Sequence, residues 1–492
     1  MHMENRVPAF AQQWRMKHVR AYRWVVFSTV TMGTFMVNLD SSIVTLAFPT
    51  FSRLYQAGPQ RLQWVMIAYL LSITAVLPTV GFMADVYGRK RFFLWGIGIF
   101  TAGSALCAIS SSLMFLDLSR IVQGLGASMI MGNVMSIVTI TFPQGERGRP
   151  LGMIGSVVAA GTLIGPALGG VLIPLWGWRS IFAVNIPFGG LALLAGLWLL
   201  EPMVNGKSNA SNSKGKRLDF LGAVLFAVAM AALITFVSNG TSWGWSSVVS
   251  MTLLVGSAAA FAVFIRHERK TDIPLIAFEL FRIPDFTLGN VTNFVCYAVL
   301  MFPPFVTPLL LDAIHISTLH TGLLMAIQPI ATIVISPFVG RLADRFNKAL
   351  ISTVGFLIVA FSLVLMSTIH MGSQTMWIAF AIASFGAGIA VFSSPNNVAV
   401  MESVPPTRTG LAGSLLALTR NFGKVTSITL AGLALTLELH GSEGSLQFVR
   451  AAHTAYLMAS FLAGVGVIIS GFRLFRRQAS KPSFRNKTSR QV

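Results

Sequence analysis

Acidic residues are scarce in this chain. Its 492 residues include only 16 Asp and Glu against 36 Lys and Arg, and just 11% of positions are charged. Soluble domains carry about 25% charged residues, so that broad class is excluded. Cysteine is nearly absent: Cys107 and Cys296 stand far apart, each inside an apolar stretch. Such a pair builds no disulfide framework and no metal-ligand spacing, and reads as small apolar filler. The eight histidines fall mostly in loops and tails, with no metal or nucleophile constellation. His315 and His320 flank a loop and read as wetted surface residues. No enzyme chemistry, cofactor or metal is expected.

What the chain has in excess is apolar surface, with 54% hydrophobic residues and a mean hydropathy of +0.71. Apolar runs of roughly 20 residues recur, each long enough to cross the hydrocarbon core. The pattern predicts an all-α polytopic membrane protein with fourteen spans. The first six lie near 24–48, 62–83, 92–111, 113–142, 149–174 and 180–200. A pair follows at 218–238 and 247–265, around the short turn of Trp243, Gly244 and Trp245. The last six lie near 286–311, 320–340, 349–369, 375–400, 409–436 and 449–472. The first run continues into this pattern without a small-residue cleavage site, so no signal peptide is expected.

These spans divide the chain into an N-terminal segment (1–23), a six-helix bundle (24–200), a linker rich in Asn, Ser, Lys and Gly (201–217), two additional helices (218–265), a charged amphipathic linker (266–285), a second six-helix bundle (286–472) and a basic tail (473–492). The net charge of +20 does not point to nucleic acid. With the N-terminus in the cytoplasm, 29 of the 36 Lys and Arg fall inside and only Arg53, Arg61, Arg179 and Arg450 outside. That asymmetry follows the positive-inside rule and places both termini in the cytoplasm. The basic tail then reads as an anchor for anionic lipid.

The two halves echo each other. GFMADVYGRKR at 81–91 follows the second span, and GRLADRF at 340–346 follows the second span of the last six. Each places a glycine, then an acid four residues on, then basic residues in a short turn: Gly81, Asp85, Gly88, Arg89 and Arg91 in the first, and Gly340, Asp344 and Arg345 in the second. Internal repeats of this kind build gateable halves around a central site.

Few residues inside the spans can carry chemistry. Asp40 sits in an otherwise uncharged stretch from Thr31 to Pro49, where an ionised side chain is costly unless it faces a cavity or a partner. Arg120 stays charged in span four and needs a carboxylate, carbonyls or water. Asp117, three residues earlier on roughly the same face, offers it a purely local partner. The alternative has Arg120 controlling proton affinity at Asp40 or binding cargo. Gly161, Gly165 and Gly169 recur every four residues in span five beside Pro166, which suits either a permanent seam or a contact that parts during gating. Arg420 and Lys424 lie one turn apart in span thirteen, which has no acid of its own. With Asn38, Gln123, Asn133, Asn396, Asn397 and Asn421 they are candidates for a cargo cavity.

Together these stretches resemble the major facilitator superfamily, specifically its fourteen-span drug:proton antiporters. LDSSIVTLAFP at 39–49 is similar to the first-helix signature, GFMADVYGRKR to the loop signature, and RIVQGLG at 120–126 to the fourth-helix signature. GTLIGPALGG at 161–170 resembles the helix-five antiporter signature, and WGWRSIFAVNIPFG at 176–189 the sixth-helix pattern, with Arg179, Asn185 and Pro187. The resemblance implies two six-helix bundles rocking about a central cavity, with the extra pair outside them. It implies a monomeric, multi-pass protein of the bacterial cytoplasmic membrane that uses the proton gradient, without a cofactor, to export small amphipathic molecules. Asp40 and Arg120 would couple protons, and the loop and helix-five motifs would gate. The late spans carry no acid placed mid-membrane, unlike the best-known cation exporters of this type, which turns the expectation toward neutral, zwitterionic or anionic cargo. Export of one endogenous metabolite or lipid is the runner-up. A proton-coupled importer, a channel, a membrane enzyme and a sensor or scaffold fit the pattern less well.

Overall fold

In the computed structural model, residues 19–143, 146–200, 219–271, 278–405, 409–439 and 444–479 are described. The expected linker at 201–217 lies outside them, as do most of residues 1–23, part of the amphipathic linker, and the side chains of Asp85 and Asp344. The described chain is entirely helical. In the first part run α1 (Val19–Ile43, continuing through Val44–Ala47 into Phe48–Tyr55), α2 (Pro59–Tyr87), α3 (Arg89–Ala108), α4 (Leu113–Thr141), α5 (Gly148–Trp176) and α6 (Ser180–Ala183 into Asn185–Leu199). The pair is α7 (Phe220–Trp243) and α8 (Val248–Glu268). Then come α9 (Pro284–Leu300 and Phe302–Ala313), α10 (Thr318–Arg345), α11 (Lys348–Ser367), α12 (Thr375–Glu402), α13 (Thr409–Glu438) and α14 (Ser445–Ala479).

Thirteen of these helices are long and apolar enough to cross a membrane. The exception is α13, whose 30 residues would reach about 45 Å at 1.5 Å per residue. Its length suffices, but Arg420 and Lys424 dilute its hydropathy. The outward faces are apolar, with Leu118, Trp198, Phe338, Phe361 and Phe461 all exposed, as expected where lipid replaces water. Helix α8 packs mainly on α7 and is the least buried of the spanning helices.

Each strong pairing in the first six helices has a counterpart eight helices later. The pairs α3–α4, α2–α4, α1–α5, α1–α6 and α3–α6 are matched by α11–α12, α10–α12, α9–α13, α9–α14 and α11–α14. Small residues recur at equivalent crossings. A Cβ on Gly124 of α4 would lie 2.6 Å from the Tyr69 carbonyl oxygen of α2, and one on Gly386 of α12 would strike that of Gln328 in α10. Close approach here requires glycine. The halves meet through α2–α13 and α5–α10, which the same pseudosymmetry exchanges. Helix α7 rests on α2 and α13, beside that interface.

The motif segments are placed unevenly. Gly88 alone forms the turn from α2 to α3, with φ of +89°, a conformation that excludes most side chains. Next to it Lys90 is buried, donating from Nζ to the Leu197 carbonyl of α6 at 3.2 Å. Arg91 and Arg345 are exposed. Nothing lies within 4 Å of where a Cβ on Gly340 would stand, so no close helix contact is made there. The chain also departs from the expected tail boundary. Helix α14 continues to Ala479, and Arg473, placed by its basic neighbours in the tail, is a buried helix residue. Its NH1 donates to Asn396 Oδ1 at 2.9 Å, and its Nε lies 3.8 Å from Asp285.

Candidate functional site

The site is built on α1. Helix α5 lays Gly161, Gly165 and Gly169 against it: a Cβ on Gly161 would meet the Phe35 carbonyl oxygen at 2.7 Å, and one on Gly165 the Leu39 carbonyl oxygen at 2.9 Å. The glycine row is therefore a seam within one half. The turn of α1 holding Asn38, Leu39 and Ser42 faces α5, and helical geometry directs Asp40 toward α4 and α6. The inter-half contact of α5 uses other residues. Gly322 of α10 sits on the Pro166 carbonyl, and a Cβ on Gly170 would lie 3.2 Å from the Thr318 carbonyl oxygen.

Asp40 is fully buried. Its Oδ2 pairs with Arg120 NH1, while Oδ1 accepts from Gln123 Nε2 at 2.8 Å and from Asn185 Nδ2 at 2.9 Å. Arg120, 1% exposed, also donates from Nε to the Val65 carbonyl at 3.1 Å and from NH1 to Gln123 Oε1. Its guanidinium lies 4.0 Å from the Tyr69 ring centroid, with Phe182 at 5.8 Å. Gln123 Nε2 reaches Ser104 Oγ at 2.7 Å as well. Helices α4 and α6 thus converge on one carboxylate of α1, and α2 and α3 brace the groups that bind it. Removing one partner of such a pair costs about 3–5 kcal/mol, because the other charge stays buried and uncompensated.

Asp117 does not partner Arg120. It pairs with Arg61 of α2, at one edge of a cavity of about 420 Å³ lined also by Gln60, Trp64, Thr235, Asn239, Ser242 and Trp243. The wall from α7 is held by Gln60, whose Nε2 donates to the Ser238 carbonyl at 2.7 Å. Burial of Arg120 on the opposite side, toward α1, separates it from an acid only one turn away. Asn185, Tyr69 and Ser104 were absent from the expected cavity set. Asn185 is named only through the sixth-helix resemblance, and no local pattern points to the other two.

Elsewhere the polar candidates are divided. Asn38 and Asn133 are tied to their own helices, donating to the Thr34 and Met129 carbonyls at 2.8 Å each. Asn396 is fully buried and committed to Arg473, Thr292 and the Gly289 carbonyl. Asn421 is buried, and Asn397 Oδ1 has no hydrogen-bond partner among the described residues. Arg420 and Lys424 share the Tyr297 ring of α9, at 5.2 and 6.0 Å from its centroid. Neither has a carboxylate partner among the described residues. A cation at the centre of a spanning helix costs about 2.5–3.5 kcal/mol on insertion scales. A desolvated cation–π contact returns on the order of 2 kcal/mol, leaving part of that cost unmet.

A pseudosymmetric pair of membrane bundles, the first holding a buried, hydrogen-bonded ion pair, is the build of an alternating-access transporter of small molecules. The sequence profile of the Major Facilitator Superfamily matches residues 30–267, 218–427 and 286–491, and the chain belongs to that family. Among curated relatives, it is 31% identical to the riboflavin transporter RibZ of Clostridioides difficile, over 93% of this chain and 99% of RibZ. It is 32% identical to the multidrug resistance protein Stp of Mycobacterium tuberculosis, over 83% and 76% of the two chains. The POT family transporter PepTSo superimposes with a TM-score of 0.65 at 15% identity, over 94% of this chain and 99% of that one, a likeness of fold alone.

Proposed function

We propose that the chain is a proton-coupled antiporter of the fourteen-span drug:proton branch, exporting small amphipathic compounds across the bacterial cytoplasmic membrane. The observation that carries this reading is Asp40, a membrane carboxylate met by three N–H donors. Donors alone complement an ionised carboxylate. A proton arriving at Asp40 adds an O–H that faces donors, so Arg120, Gln123 or Asn185 must turn away. Protonation thereby becomes a rearrangement of α1 against α4 and α6. Two six-helix bundles rock about the α2–α13 and α5–α10 contacts, with α7 and α8 outside them, and both termini in the cytoplasm. A monomer suffices for this motion. Similarity to proteins named for multidrug and methylenomycin A resistance supports export of foreign compounds.

The likeness to a riboflavin transporter along nearly its full length favours a second reading, export of one endogenous metabolite by the same mechanism. The deciding experiment is exchange in proteoliposomes under an imposed pH gradient, with wild type and Asp40→Asn, over cationic, neutral and anionic compounds. Gradient-driven flux in wild type, and its loss in Asp40→Asn with cargo–cargo counterflow kept, is expected. Flux that ignores the gradient in wild type removes antiport, and flux unchanged by the substitution removes Asp40 from coupling.

A further inference from the structure

Charge balance in the spans is uneven between the halves. In the first half Asp40 is spent on Arg120, with Gln123 and Asn185 occupying its other oxygen. Other described acids are engaged near helix ends: Asp117 with Arg61, Asp285 with Arg473, Asp312 with Arg53, and Glu402 with Lys348. Among the described residues no carboxylate pairs with the middle of α13, where Arg420 and Lys424 stand one turn apart.

The local packing arranges these two cations as a pair. Between them Gly423 presses α13 onto α9, so close that a Cβ there would lie 2.7 Å from Tyr297 Cβ and 2.8 Å from the Phe294 carbonyl oxygen. Arg420 and Lys424, one turn apart on the same face of α13 beside that contact, share the ring of Tyr297. Arg420 Nε is buried and has no acceptor among the described residues. Phe294 and Phe422 add a tilted ring pair at 5.1 Å beside the crossing. A planar guanidinium with a free N–H, an ammonium one turn away and a bed of aromatic rings match an oxyanion carried on a flat apolar body.

We propose that Arg420 and Lys424 form the receptor for the cargo's oxyanion, with Tyr297 against its apolar part, so that the exported compound is an amphipathic organic anion. The assignment rests on the exporter reading above, and it defines the substrate class which that reading leaves open. Bound cargo supplies the negative charge that the middle of α13 lacks, and the two positive side chains on that wall of the crossing disfavour a cation there. The electrical consequence is specific. A monoanion leaving in exchange for one entering proton moves two positive charges inward per cycle, so the membrane potential adds to the pH gradient as a driving force.

The test uses one ring system at three charges: 2-naphthoate, 2-naphthylmethanol and 2-naphthylmethylammonium. Their binding to the purified full-length protein is measured by thermal shift and by titration of intrinsic fluorescence, neither of which depends on transport. Naphthoate is expected to bind wild type at least tenfold more tightly than the other two. Arg420→Gln and Lys424→Gln should each remove that preference, while Lys424→Arg, which keeps the charge, should retain it and serve as the control for folding. Asp40→Asn should leave the preference in place. Equal binding of the three probes, binding of none of them, or a naphthoate preference that survives both Gln variants overturns the proposal. A preference present in wild type together with absent gradient-driven flux upholds the anion receptor and removes the antiport reading instead. Where flux is present, naphthoate currents on a solid-supported membrane should grow when the vesicle interior is made more negative in the exchange direction; currents insensitive to potential contradict a net movement of charge with the anion.

Discussion

Arg120 shows why a membrane cation can be held rigidly without being inert. Its guanidinium binds Asp40, the Val65 carbonyl and Gln123 while stacked on Tyr69. A lysine offers a point charge in place of that planar fork. Arg120→Lys is therefore expected to lower gradient-driven exchange by at least tenfold while the protein still inserts, as read by proteoliposome flux against detergent-extracted yield. Stability and coupling should separate in a second experiment. Arg120→Met alone strands Asp40 and should cost about 3–5 kcal/mol, whereas Asp40→Leu combined with Arg120→Met should recover most of that loss. Thermal unfolding in detergent reads the first effect, and exchange should be absent from both variants. A double variant that still exchanged protons for cargo would remove the ion pair from the mechanism.

Helix α5 has two working faces. One carries Gly161, Gly165 and Gly169 and seats α1; the other carries Pro166 and Gly170 and meets α10 across the halves. Substitutions on the two faces should differ in kind. Gly165→Leu drives a side chain into Ser42 and the Leu39 carbonyl, and is expected to lower folded yield, since backbone on both sides resists the shift. Gly322→Val, on α10 against the Pro166 carbonyl, is expected to fold but to hold the α5–α10 contact apart. A spin-label or fluorophore pair on the ends of α5 and α10 near Trp176 and Thr318 should then report a longer distance in the variant. Cys107 and Cys296 are both buried, so engineered cysteines can be labelled over a low background. An unchanged distance distribution would show that this crossing does not hold the closed state.

For the whole molecule, the described contacts between halves gather at the face opposite Val19 and Ala479. Gly322 on Pro166, Gly432 against Gln63, the Phe48–Phe305 ring pair at 5.2 Å and the Arg53–Asp312 pair at 2.9 Å all lie there. The described shape is thus closed on that face. Arg53 and Asp312 are substantially exposed, and such pairs contribute about 0–1 kcal/mol. Asp312→Asn should leave the unfolding temperature nearly unchanged and shift the open-to-closed ratio by no more than about fivefold, the equivalent of about 1 kcal/mol. Distance measurements across that face check it, and a shift of a hundredfold would make the pair a principal latch.

Much of this protein was legible before any packing was known. Span length and hydropathy follow from the bilayer's thickness, so the helices and their number came from local composition. The loop repeat disclosed two related halves, and an acid and an arginine inside apolar runs marked Asp40 and Arg120 as residues with work to do. Which atoms satisfy them was not local information. Asp117 stands one turn from Arg120 in sequence, yet pairs with Arg61, because α4 turns the two side chains toward different neighbours. Asn185 reaches Asp40 from 145 positions away, and Ser104 supports Gln123 from a third helix. Arg473 read as a tail residue because its neighbours are basic, but a carboxylate on α9 and an amide on α12 receive it inside the bundle. The sequence by itself determined that the chain crosses the membrane many times and which residues are too costly there to be idle. Only the tertiary structure decided their partners, since a buried charge is satisfied by whatever donor or acceptor the folded helices bring within hydrogen-bond reach.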